Sequence, residues 1–91
     1  MSGIVAIIVK LMPSSPSVSL DQIMKEARHV MEKEGAKNIS FETQEIAFGL
    51  KAIMMKFAID EDKGTDIVEQ TLSKIKDVSS VTIEDYRRAF G

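Results

Sequence analysis

The sequence lacks cysteine and tryptophan altogether and has one histidine and only two prolines in 91 residues. Without cysteine, disulfides, thiolate metal sites and cysteine nucleophiles are excluded, in keeping with a reducing interior. The lone histidine, His29, falls about 180° from Leu20 around an amphipathic helix, which turns it to solvent and away from acid–base or ligand roles. Neither charge sign dominates. Twelve Lys and Arg against fourteen Asp and Glu give a formal charge of -2, so the chain lacks the positive field that drives nucleic-acid affinity. A protein partner fits better than RNA or DNA. The apolar run in MSGIVAIIVKLM is too short to span a bilayer, with no basic region before it and no small-residue cleavage site after it. No phosphate-binding glycine loop is present, because GIVAI opens a strand and Gly64 stands alone. The acidic run Asp60, Glu61, Asp62 would need glycine at Thr65 and glutamate at Thr71 to form a calcium loop, so it reads as a solvated helix entry. No metal or cofactor is expected.

Strong periodicity fills the rest of the chain. From Gly3 to Met12, Val5, Ile7, Val9 and Leu11 alternate with Ile4, Ala6, Ile8 and Lys10, and two largely apolar faces mark a central strand. Pro13 and Pro16 end it. Ser19 and Gln22 have the spacing of a capping box. Leu20, Ile23, Met24, Ala27, Val30 and Met31 then recur at helical spacing until Gly35, a left-handed cap. Lys37 to Glu45 returns to period two with Ile39 and Phe41 on one face and Ser40, Glu42 and Gln44 on the other, an outer strand. Leu50 to Ile59 is apolar on both faces and is a second central strand. Thr65 or Asp66 caps a second helix whose inward residues are Ile67, Val68, Leu72 and Ile75, and Val78 to Tyr86, with Val81 and Ile83 inward, supplies the last strand. Met24, Met31, Met54 and Met55 fall at periodic apolar positions and read as core.

A βαββαβ order in a chain of this length predicts one α+β domain over residues 1–91, a ferredoxin-like sandwich. Its four-stranded antiparallel sheet has order 4-1-3-2 with both helices on one face. The open face would carry Ile4, Ile8, Leu50, Ala52, Met54 and Lys56, with Tyr86 at its margin. That is too few aromatics for base stacking.

The unusual stretch is EIAFGLKAI, residues 45–53, where Ala47, Phe48 and Gly49 stand between two strands and an aromatic replaces the polar residues of an ordinary turn. Such a ring either folds back over the end of the core or meets a partner. The basic doublet Arg87 and Arg88 follows the last strand at the opposite end of the sheet, on the order of 20 Å away. Two exposed sites at opposite ends suit bridging a large partner better than enclosing a small substrate.

The proline-rich loop after the first strand, the EIAFGLKA hairpin, the acidic loop and the closing DYRRAFG together resemble the archaeal-type translation elongation factor 1-beta family over essentially the whole chain. The resemblance implies a cytoplasmic, non-enzymatic factor that exchanges GDP for GTP on elongation factor 1-alpha, the GTPase that delivers aminoacyl-tRNA; a monomer is the expectation, though the sequence itself does not fix the oligomeric state. It further implies that Phe48 inserts into an apolar pocket of the GTPase, while the opposite end disturbs the magnesium and phosphate site. Eukaryotic relatives carry a lysine next to their last residue. Here no lysine follows Lys76, so either Arg87 or Arg88 would supply the cation or the backbone alone would do the displacing. Two other readings are a regulatory small-ligand-binding domain dimerising through its open face and, more weakly, an RNA-binding domain.

Overall fold

The computed structural model describes residues 3–90; Gly91 of the DYRRAFG ending lies outside them. Strand β1 (Ile4–Pro13) leads into helix α1 (Leu20–Lys33), strands β2 (Lys37–Ala47) and β3 (Leu50–Asp60), a 3-10 turn (Glu61–Lys63), helix α2 (Gly64–Ser73) and strand β4 (Val78–Phe90). The sheet runs β2-β3-β1-β4 with every neighbouring pair antiparallel. This is the α+β ferredoxin-like order expected from the periodicity, with the two strands that are apolar on both faces at its centre.

The helix-covered face of the sheet holds the core. Val5, Ile7, Val9 and Leu11 of β1 and Ile53, Met55, Phe57 and Ile59 of β3 are buried with Ile23, Ala27 and Met31 of α1 and Val68 and Leu72 of α2. The outer strands supply only half-buried flanks, Ile39 and Phe41 from β2 and Val81 and Ile83 from β4. Fully burying one such apolar side chain contributes about 1.5–3 kcal/mol, so the centre of this face dominates stability. Helix α1 begins where the Ser19 hydroxyl accepts the Gln22 N–H at 3.3 Å. It ends at Gly35, whose φ of 94° is cheap only for glycine, and the Ala36 N–H closes on the Met31 carbonyl at 2.9 Å. His29 is exposed, as its helical position requires.

Four local features differ from what the periodicity predicts. Helix α2 starts at Gly64 with no side-chain cap, because the acidic run first makes a 3-10 turn in which Asp60 accepts the Asp62 N–H at 3.0 Å. Val68, Leu72 and Ile75 face inward, and Ile67 is only half-buried. Strand β4 runs on to Phe90, so Arg87 and Arg88 lie within it, opposite Ala6 and Val5. The ladder skips a residue as well: Ile83 pairs with Val9 and Asp85 with Ile8, leaving Glu84 as a bulge. One extra residue reverses the alternation of side chains beyond it. Tyr86 is therefore opposite Ile7 on the helix-covered side, not at the margin of the open face.

Candidate functional site

The hairpin joining β2 and β3 projects beyond the rest of the sheet. The β1–β3 ladder stops at Leu11 and Ile53, whereas β2 and β3 continue to pair as far as Ala47 and Leu50. Residues 42–49 are exposed throughout, although Ala52 and Ile53, which pair with Gln44 and Thr43, are buried. The hairpin loop is Phe48-Gly49, with φ of 55° and 79°, the sign pattern of a type I′ turn, which suits the right-handed twist of the flanking strands and ordinarily carries Asn-Gly. The described residues include three non-glycine residues at positive φ, Asn38, Phe48 and Asp77. Asparagine and aspartate tolerate that region; a bulky aromatic gives up about 1–2 kcal/mol there.

Phe48 recovers nothing from the fold in return. Its relative exposure is 102%, so the ring does not fold back over the core and touches solvent on every side. Ile46, which the sequence reading passed over, is 41% exposed beside it. The ladder skips Ile46 between the Glu45–Lys51 and Ala47–Leu50 pairs. An apolar residue out of phase with Ile39 and Phe41 was the available signal. With exposed Ala47 and half-buried Leu50, these side chains make the tip a small apolar knob. Strained, exposed aromatics persist where surrounding structure enforces them and function uses them.

The opposite end is built from ions. Arg87 faces the open side of the sheet opposite Ala6, and Arg88 the helix-covered side opposite Val5. Arg88 Nη2 donates to Glu61 Oε2 at 2.7 Å, the Gly3 N–H donates to Glu61 Oε1 at 2.9 Å, and the Glu61 N–H returns a bond to the Gly3 carbonyl at 3.0 Å. Glu61 thereby ties the start of β1, the exit of β3 and the end of β4. The Gly3 N–H bond first, then Arg88, holds the Glu61 carboxyl below its ordinary value. Arg87 makes a different contact. Its Nε donates to Asp85 Oδ2 at 3.0 Å, while Asp85 Oδ1 accepts the Tyr86 N–H at 3.0 Å.

Of the residues singled out from sequence, Ala47, Phe48 and Gly49 come together at the tip. Arg87 and Arg88 lie at the far end, but back to back on two faces. From Leu50 to Ala58, which shares a sheet level with Ala6 and Arg87, is about 26 Å along the strand, within a molecule 45 Å long. Glu61 is not the solvated helix entry that its acidic neighbours suggested. Its partners are 27 and 58 residues away in sequence, so no local pattern could have revealed them. Among the described residues no cluster of His, Cys, Asp and Glu is arranged to hold a metal ion, and no helix is long and apolar enough to cross a membrane.

The match to known proteins covers both ends of this architecture. Residues 6–89 match the model of the EF-1 guanine nucleotide exchange domain. A protein of Haloarcula marismortui named elongation factor 1-beta is 39% identical over 87 residues, covering 94% of this chain and 98% of that protein. Proteins of the same name from Methanocella arvoryzae and Methanobrevibacter smithii are 41% and 38% identical over 83 and 87 residues, covering 90% and 94% of this chain and 92% and 97% of those proteins.

Proposed function

Because the chain belongs to the EF-1 guanine nucleotide exchange domain family, we propose that it promotes exchange of GDP for GTP on elongation factor 1-alpha. In this reading the Phe48 knob fills an apolar pocket of the GTPase, with Ala47 and Gly49 against the pocket rim. The opposite end of the sheet, where Arg87 or Arg88 supplies the cation, lies against the nucleotide-binding part and disturbs its magnesium and phosphate site. The observation that carries the docking half is Phe48 itself, fully exposed at positive φ in a turn where asparagine would cost less. A strained residue that contributes no packing to its own fold needs another source of stabilisation, and an aromatic anchor in a partner's pocket supplies it.

Exchange of this kind makes and breaks no covalent bond. A factor that weakens the GTPase's hold on GDP is bound less tightly by the GDP form than by the empty form, by the same factor. Binding energy from the knob is common to both forms; the discrimination between them arises at the other end. The length of the sheet, with its two chemically distinct ends, matches that division. When GTP fills the empty site, the same linkage ejects the factor.

The test is release of a fluorescent GDP analogue from elongation factor 1-alpha. Substoichiometric protein should accelerate release, and Phe48→Ala should lose the acceleration while keeping the wild-type circular dichroism and Tm. A wild-type protein that leaves the release rate unchanged rejects the reading.

A further inference from the structure

The far end of the sheet carries two adjacent arginines in unlike surroundings. Arg88 is bonded through Nη2, at the tip of its guanidinium, to a carboxylate whose other oxygen is committed to the Gly3 backbone. Reaching outward would break a charge-assisted bond of 2.7 Å and leave Glu61 facing Gly3 alone. Arg87 is bonded through Nε, the inner edge. Its carboxylate partner is fixed in turn by the Tyr86 N–H, and its side chain is 79% exposed against 63% for Arg88. Among the described residues neither Nη of Arg87 has a hydrogen-bond partner, so the fork is left exposed while Asp85 holds its Nε edge.

We infer that the doublet divides its work: Arg87, positioned by Asp85, presents its Nη fork to a carboxylate of the partner GTPase, while Arg88 is retained by the fold in a clasp with Glu61 and Gly3. The inference rests on the exchange reading for the identity of the partner. A planar fork with two free donors matches an oxyanion. Linkage then selects which oxyanion. A contact to the phosphate of bound GDP would strengthen nucleotide binding, whereas a contact to an acidic side chain made in the nucleotide-free form weakens it. Arg87 therefore recognises protein and not nucleotide. The lowered pKa of Glu61 agrees with a clasp that is closed in the free factor.

The experiment combines GDP-release kinetics, affinity for the nucleotide-free and GDP-bound GTPase, and Tm for wild type, Phe48→Ala, Arg87→Gln, Arg88→Gln, Glu61→Ala, Asp85→Asn and the doubles Glu61→Ala/Arg88→Gln and Asp85→Asn/Arg87→Gln. Arg87→Gln should keep the wild-type Tm and slow exchange at least about tenfold, the scale for removing one partner of an interfacial charge pair. Its affinity loss should be larger for the nucleotide-free form. Asp85→Asn should slow exchange less, and adding it to Arg87→Gln should cause no further loss, which a merely structural aspartate would not produce. Arg88→Gln and Glu61→Ala should each lower Tm by a few degrees, their double no more than the larger single, with exchange at 20 °C close to wild type. The division is overturned if Arg88→Gln abolishes exchange and Arg87→Gln spares it, if the two act alike, or if Arg87→Gln weakens binding of the GDP form alone. If wild type and Phe48→Ala are both inactive, the exchange reading itself has failed; if wild type is active and Arg87→Gln equally so, only the division has.

Discussion

The two ends of the sheet solve opposite problems. At the hairpin the chain spends conformational energy to hold an unpartnered aromatic in water, with Phe48 wholly exposed at a φ of 55°. At the other end it gathers distant segments, Gly3, Glu61 and Arg88, into a closed set of bonds. In the proposed reading the first end is completed by another molecule, whereas the second is closed by the fold itself, with Arg87 the exception. Truncating the Phe48 ring should therefore leave stability nearly intact while removing activity; substitutions in the clasp should do the reverse.

The largest effect that would sharpen this contrast is on binding. Phe48→Ala should weaken the complex with the GTPase by about 2–4 kcal/mol, the range for a truncated interface anchor, measured by titration calorimetry. A loss below tenfold would mean that the tip is not the anchor. Next comes the backbone of the turn. Gly49 has a φ of 79° and open space where a Cβ would stand, so Gly49→Ala carries a purely conformational cost of about 1–2 kcal/mol, visible as a lower midpoint in urea. A smaller effect of opposite sign is expected for Phe48→Asn. Placing the residue that prefers this turn should stabilise the free protein by roughly 0.5–1 kcal/mol while abolishing exchange, so that stability and activity move apart. A variant that is less stable than wild type would show that Phe48 does pack on its own fold.

The smallest effect concerns pH. The Glu61 carboxyl titrates below its ordinary value, near 4.5, because its charged form accepts the Gly3 N–H and pairs with Arg88. The folded protein thus holds this proton less tightly than the unfolded chain. The contribution is complete above about pH 5 and is lost as pH falls through the lowered folded value. Denaturant midpoints of wild type and Glu61→Gln should differ at pH 7 and converge as pH falls through the lowered folded value, since every other carboxylate is common to the two proteins. A constant difference across that range would remove the charge from the clasp.

The fold was legible in the sequence because its signals are local. Two-faced apolar strands announced the centre of the sheet. The capped, amphipathic Ser19–Gly35 segment announced α1, and Pro13 and Pro16 announced the loop between them. The tip was legible as well, since an aromatic in a turn breaks a chemical rule wherever it occurs. What the sequence hid were matters of register and distance. The helix α2 start was misplaced because an acidic 3-10 turn and a capped helix begin with the same residue types. The end of β4 was hidden because a bulge interrupts its alternation, and Glu61 because its partners are 27 and 58 residues away.

The bulge at Glu84 has a consequence for information. Positions 87 and 88 carry the same letter, so no comparison of side-chain chemistry distinguishes them. Had Glu84 kept its place in the ladder, Arg87 would stand opposite Val5 and Arg88 opposite Ile4, and each would look the other way. Which of two identical residues stands on which face of the sheet is thus encoded by counting, three residues upstream, at a position whose own side chain joins neither arginine's bonds. An insertion or deletion in this stretch of β4 acts like a frameshift in an alphabet of two. It can silence a contact without altering a single residue that makes it.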